Sequence, residues 1–184
     1  LVKRSNGGEH CVILSPRRYG KTSLIIRVQD KLRQQGIISI YTDVSGTGSA
    51  DEFAKRLTQG IYTHLSREKS LLERVKQFFT GWAPVQIGIS QASGIGLTLQ
   101  PASQKSGFSL LEETMESLDN FLKNNKNVKF NIAFDEFQDI ADFSEGTNIE
   151  ALLRRYIQHQ TNCSYFFLGS RRRILQDMFN QKSR

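Results

Sequence analysis

The sequence is short of several things. It has only two cysteines, Cys11 and Cys163, in 184 residues. They lie far apart and lack metal-ligand spacing, and each opens a short apolar run. This excludes a disulfide framework and a thiolate metal site, and both read as small core residues in a reducing, cytoplasmic setting. The three histidines, His10, His64 and His159, fall in no metal or triad pattern and read as structural or surface residues. No apolar run approaches ~18 residues, which excludes a membrane-spanning helix. There is no internal repeat and no low-complexity segment. The opening stretch, Leu1 to Gly8, has neither a methionine nor the apolar centre of a signal peptide, so the chain reads as a piece of a longer one.

What is present fits one folded domain. Hydrophobic residues make up 38% and charged residues 23%, enough apolar surface for a core and too much for wholesale disorder. The formal net charge is +7, unevenly spread: Arg171 to Arg184 holds Arg171, Arg172, Arg173, Lys182 and Arg184 against one acid, Asp177. Such a cluster suits polyphosphate or nucleic acid, but a solvated helix face is the better reading.

Buried-type strands alternate with amphipathic helices along the chain. Cys11-Val12-Ile13-Leu14 is a continuous apolar run suited to a strand covered on both faces. Leu24, Ile25, Val28 and Leu32 recur at helical spacing, and Gly36 stops that helix. Ile37 to Val44 reads as a second strand. Ser49 and Glu52 form a capping box for a helix burying Phe53, Leu57, Ile61 and Leu65. A further helix carries Leu71, Leu72, Val75, Phe78 and Phe79. Val85, Ile87 and Ile89, then Ile95, Leu97 and Leu99, alternate with polar or small residues around Ser93-Gly94, which predicts a β-hairpin over 85–100. Leu111, Met115, Leu118 and Leu122 mark a helix from about Ser109. Lys129–Phe134 is a strand ending in Asp135-Glu136, and Ile149, Leu152, Leu153, Tyr156 and Ile157 form a helical stripe. The strand Ser164–Leu168 then leads into Gly169-Ser170 and a basic helix through Phe179. This alternation implies an α/β fold, a parallel sheet with helices on both faces.

Two segments carry chemistry. Ser15-Pro16-Arg17-Arg18-Tyr19-Gly20-Lys21-Thr22, followed by Ser23, sits between a buried strand and an amphipathic helix, the setting a nucleotide phosphate loop requires. Backbone N–H groups and a helix N-terminus there offer unpaired donors and partial positive charge. Gly20 lets the backbone pass close to phosphate, Lys21 would reach the terminal phosphates, and the Thr22 hydroxyl would ligate Mg²⁺. Ser15 stands where the G-x-x-x-x-G-K-[ST] pattern has its first glycine, and serine resists positive φ. A lysine opening a helix is electrostatically unfavourable without an anion. The second segment is Asp135-Glu136, at the C-terminal end of a strand, where parallel sheets bind ligands. Asp135 would orient Mg²⁺ through water, and Glu136 would polarise the water attacking the γ-phosphate.

With these residues the chain resembles AAA+ P-loop ATPases, and more closely the archaeal-type ATPase family related to the STAND class of signal-transducing NTPases. The segments that carry the resemblance are Ser15 to Leu24, Phe134-Asp135-Glu136-Phe137-Gln138 and Tyr165 to Ser170. The resemblance implies a three-layer P-loop sandwich with sheet order 5-1-4-3-2, whose first four strands are Cys11–Leu14, Ile37–Asp43, Lys129–Phe134 and Ser164–Leu168. It also implies that the fifth strand and a helical lid lie beyond Arg184. Residues 1–184 would then be a truncated nucleotide-binding domain with the 85–100 hairpin inserted in it. By the same resemblance Ser170 would sense the γ-phosphate and Arg171 would contact phosphate. Arg154 and Arg155 come into question as an arginine finger only by their place on a helix, and a polar face explains them better.

The implied activity is Mg²⁺-dependent ATP hydrolysis driving movement of a lid or partner domain, with ATP and ADP as ligands and a homo-oligomer or partner domain in the longer chain. One alternative is a slow-turnover nucleotide switch using the same residues. A second is a basic nucleic-acid-binding module, though no DNA-reading motif is visible.

Overall fold

The computed structural model describes residues 1–65, 82–86, 97–101, 105–171 and 175. Four strands form one sheet: β1 (Cys11–Leu14), β2 (Ile38–Asp43), β5 (Phe130–Asp135) and β6 (Cys163–Gly169). Their spatial order is β1-β6-β5-β2, and every pairing is parallel. Numbered among themselves, these strands run first, fourth, third, second, which is the order the resemblance implied for them. A separate antiparallel pair joins β3 (Trp82–Gln86) to β4 (Leu97–Pro101), with Gln86 opposite Leu97. The strands of that hairpin therefore start and end further out than the alternation predicted. The expected turn at Ser93-Gly94 and the helix around Leu71 to Phe79 lie outside the described residues, as does most of the basic segment after Arg171.

Strand period and helical period divide the core in two. On β5 and β6, Phe130, Ile132, Phe134, Cys163, Tyr165 and Phe167 point to one face and Ala133, Phe166 and Leu168 to the other. The first face packs against α3 (Ala50–Leu65), α4 (Gly107–Asn124) and α5 (Gly146–Ile157). The second is covered by α2 (Lys21–Gln34) through Ile25, Val28 and Leu32, with the short α1 (Val2–Asn6) beside it. The large face is aromatic: Phe134 lies 5.5 Å from Phe53, 5.7 Å from Phe137 and 5.7 Å from Phe167, ring centre to ring centre. Such offset and tilted pairs add to their area burial.

Local signals start the helices where expected. The Ser49 hydroxyl accepts the Glu52 N–H, and the Glu52 carboxylate accepts the Gly48 N–H. The Ser106 hydroxyl accepts the Ser109 N–H at the start of α4. Gly107 there is a packing requirement, since a Cβ would meet the Asp51 backbone nitrogen at 2.2 Å. Both cysteines are buried and free, and burial pushes the Cys163 thiol up to about 12. The α2 face also holds a buried polar chain. The Gln29 amide donates to Ile40 O and Asn131 Oδ1, Asn131 donates to Ser164 Oγ, and Ser164 Oγ meets Ser5 Oγ.

One strand departs from expectation. β1 is not covered on both faces: Val12 is 42% and Leu14 36% exposed. Among the described residues β1 pairs only with β6 and so forms the sheet edge, and α5 and the turn after β5 reach only part of its outer face. No helix among the described residues is long and apolar enough to cross a membrane.

Phe53 is fully buried against the central ring of the cluster. Phe53→Ala is expected to destabilise the fold by about 3–5 kcal/mol. Urea unfolding of the two proteins checks this; a loss below about 1 kcal/mol would show that the α3–sheet interface is not close-packed as described.

Candidate functional site

The C-terminal ends of the four parallel strands share one rim, where such sheets place their ligands. β1 delivers the loop Ser15 to Gly20, β6 delivers Ser170, and β5 delivers Asp135 and Glu136. β1 and β6 stay joined into the loop, because Ser15 N donates to Gly169 O at 3.3 Å. The loop ends at Gly20 with φ 77°, and α2 begins at Lys21 with no side chain capping its N-terminus. Its first turn has no acidic residue, whereas α3 opens with Asp51 and Glu52. The first N–H groups of α2 and its positive dipole end are therefore left to an external acceptor.

Lys21 is 7% exposed. A cation at this end of a helix opposes the dipole, so something must hold it. Its Nζ donates to Ser15 O at 3.1 Å and Pro16 O at 3.2 Å, and Glu136 Oε1 lies 3.8 Å away. Glu136 is itself tightly held: Ser170 Oγ donates to Oε2 at 3.0 Å and the Gln138 amide donates to the same oxygen at 2.6 Å. Thr22 and Asp135 meet directly, Thr22 Oγ1 donating to Asp135 Oδ2 at 2.6 Å. The reason is strand period: Asp135 follows Asn131 and Ala133 onto the α2 face, and α2 presents Thr22 one residue after Lys21. The structure thus brings together Ser15, Pro16, Lys21, Thr22, Asp135, Glu136 and Ser170. Arg17, Arg18, Tyr19, Gly20 and Ser23 lie exposed on the loop and first turn.

Backbone strain is concentrated here. Among the described residues only Arg18 (φ 65°) and Glu136 (φ 48°) are non-glycines with positive φ. Ser15 is not one of them, so the loop tolerates serine at that position. The left-handed turns fall at Arg18 and Gly20 instead. A left-handed non-glycine costs roughly 1–2 kcal/mol and persists where its surroundings enforce it.

Two residues at this rim have no role assigned from the sequence, Gln138 entering there only as the last residue of the segment Phe134 to Gln138. Tyr41 on β2 donates its hydroxyl to Asp135 Oδ2 at 2.7 Å. Burial, then the Asp135 carboxylate, raises its phenol pKa above the ordinary range, so it stays a donor. Tyr41 sits opposite Ala133, which makes it diagonal to Asp135, and only the strand register reveals that. Gln138 is fully buried, bonds Glu136 and Asp139, and leaves its Oε1 without a hydrogen-bond partner.

Arg171 is turned to the 3₁₀ segment Phe137–Asp142, with its guanidinium 3.1 Å from Asp142 and 3.9 Å from Asp139. It would have to leave both carboxylates to touch a phosphate. Arg155 pairs with Glu112 at 2.7 Å and lies over the Tyr156 ring, as a surface residue does.

The donor set at the rim is hydroxyl and carboxylate oxygen, which suits Mg²⁺. Among the described residues no group of three or more His, Cys, Asp or Glu could hold a metal alone. A cation here would therefore share its ligands with bound phosphate, as Mg²⁺ commonly does. An apolar cavity of about 230 Å³ opens elsewhere, between β1 and α5, lined by Val12, Phe137, Leu153, Ile157 and Phe167. Burial raises the Glu150 carboxyl there, with Arg154 opposing, and His10 and Cys11 also line the cavity.

No family model and no curated protein matches the chain. Solved structures do. The Walker-type ATPase PABY2304 of Pyrococcus abyssi is similar with a TM-score of 0.56 at 20% identity, over 95% of this chain and 44% of that one. The ORC1 protein of Aeropyrum pernix, solved in complex with DNA, is similar with a TM-score of 0.53 at 13% identity, over 92% of this chain and 37% of that one. The chain thus spans less than half the length of either. It shares the α/β fold of these two proteins over that span.

Gly169 lies where β6 passes Gln138. A Cβ there would meet Gln138 Oε1 at 2.0 Å and Leu175 Cδ1 at 2.3 Å. Gly169→Ala is expected to cost about 1–3 kcal/mol by overpacking. Denaturant unfolding of the variant measures this, and unchanged stability would mean that Gln138 is free to move away.

Proposed function

We propose that the chain binds ATP with Mg²⁺ at the C-terminal rim of the sheet and hydrolyses it, coupling nucleotide state to movement of a lid or partner domain. One observation carries the reading: a nearly buried lysine at an uncapped helix start lies within 3.8 Å of a carboxylate at the end of the next-but-one strand. A buried ion pair is weak evidence for stability and often less favourable than apolar packing. Its presence beside unpaired helix-start N–H groups is better explained by a polyanion that takes over the ammonium.

The residues divide the work as follows. The loop N–H groups and Lys21 bind the phosphates, and Gly20 allows the close approach. Thr22 and Asp135 are the residues that would hold Mg²⁺, which when bound neutralises charge on the phosphate oxygens. Once Lys21 turns to phosphate, Glu136 Oε1 loses its nearby cation and can accept a proton from water, while Ser170 and Gln138 keep Oε2 fixed. Orientation of the water and relief of its proton are what in-line hydrolysis needs. Ser170, bonded to Glu136 at the end of β6, is placed to transmit occupancy of the site to that carboxylate. Within this reading residues 85–100 are a hairpin inserted in the nucleotide-binding domain.

The three groups around Glu136 favour a second, closely related reading, a slow-turnover switch. A base whose oxygens are already occupied hydrolyses slowly until its surroundings rearrange. Turnover separates the two: burst release of one phosphate with retained ADP marks a switch, and steady release marks an ATPase. In either case Glu136→Gln is expected to lower phosphate release about 100-fold or more while ATP affinity stays within a few-fold. Equal, appreciable turnover in both proteins would remove Glu136 from the mechanism.

A further inference from the structure

Asp135 is 3% exposed, and its lone pairs are nearly spoken for. An ionised carboxylate offers about four acceptor sites. Oδ2 receives two hydroxyls, Thr22 Oγ1 at 2.6 Å from α2 and Tyr41 OH at 2.7 Å from β2. Oδ1 receives the Glu136 N–H at 2.9 Å. Three donors from three parts of the chain therefore fix the plane of the carboxylate. One acceptor position remains, on Oδ1. The Thr22 hydrogen is spent on Asp135, so the Thr22 oxygen turns its lone pairs away from that carboxylate. Of these contacts the Tyr41 hydroxyl serves neither phosphate nor the backbone. Its length carries it diagonally across the β2–β5 register, from a place opposite Ala133 to Asp135.

We propose that Tyr41 is a positioning residue for the divalent cation: its hydroxyl occupies one site on Asp135 Oδ2 and so leaves Oδ1 as the oxygen offered to a metal-bound water. The proposal rests on the Mg²⁺-nucleotide reading of the site. It assigns a role to a residue outside both the phosphate loop and the acidic strand end. Outer-shell partners of this kind commonly alter metal affinity by 10–100-fold.

The test is the magnesium dependence of ADP binding in the intact protein and in Tyr41→Phe, which keeps the ring and removes only the hydroxyl. ADP affinity is measured by calorimetry in EDTA and across a MgCl₂ series, with the thermal midpoint in EDTA recorded for both proteins. The expected result is a MgCl₂ concentration for half-maximal effect about 10-fold higher in the variant, with ADP affinity in EDTA unchanged. Comparing each protein with itself removes any general loss of fold. An unchanged magnesium midpoint overturns the proposal, and so does equal weakening with and without magnesium, which would make Tyr41 a packing residue. If the unaltered protein binds ADP with no response to magnesium, the metal part of the functional reading falls together with this proposal. If it responds and the variant responds identically, the role of Tyr41 alone falls.

Discussion

The ammonium of Lys21 is the charge around which the rim is arranged. It stands at the first residue of α2, where the helix dipole repels a cation, and it is nearly buried. Two loop carbonyls and the Glu136 carboxylate hold it. That requirement fixes the path of the loop, which must fold its own carbonyls back over Nζ. It also fixes the spacing of the sheet, because Glu136 reaches Lys21 only if β5 lies next to β6 and β6 next to β1. The parallel order β1-β6-β5-β2 supplies that spacing.

Rigidity behind the rim comes from two different materials. On the large face, aromatic rings around Phe134 lock β5 and β6 to α3 and the 3₁₀ turn. On the α2 face, the chain from Gln29 through Asn131 to Ser164 and Ser5 ties helix to strands by hydrogen bonds. A buried polar chain of this kind specifies one register, since a slip would leave amide groups unpaired. Arg18 and Glu136, at the rim itself, adopt left-handed conformations that neither residue prefers. Among the described residues, left-handed non-glycines occur only in the loop before α2 and at the acidic strand end.

Much of this was legible in the sequence, for identifiable reasons. Apolar runs such as Phe130 to Phe134 and helical stripes such as Phe53, Leu57, Ile61 and Leu65 carry their period openly, and their alternation yields the layered parallel fold. Lys21, Thr22, Asp135 and Glu136 stand out because their residue types recur at strand and helix ends that share a rim. Tyr41 does not stand out, and Gln138 stands only at the end of a segment that carries the resemblance, with no role of its own. A tyrosine inside a strand and a glutamine in a turn are ordinary residues until register and burial place them against Asp135 and Glu136. The exposure of Val12 and Leu14 was hidden for a related reason, since an apolar edge strand and a central one look alike in sequence. Arg171 was named only through the resemblance, and in the structure its guanidinium pairs with Asp139 and Asp142.

The most direct measurement is equilibrium binding of ATP with magnesium to the intact protein and to Lys21→Ala. If the buried ammonium exists to meet a triphosphate, the unaltered protein binds ATP and the variant loses at least about 10-fold in affinity, the weakening expected when a charge-assisted contact to phosphate is removed. Equal affinity in the two proteins, or no ATP binding by the unaltered one, would contradict the assignment of this rim to nucleotide.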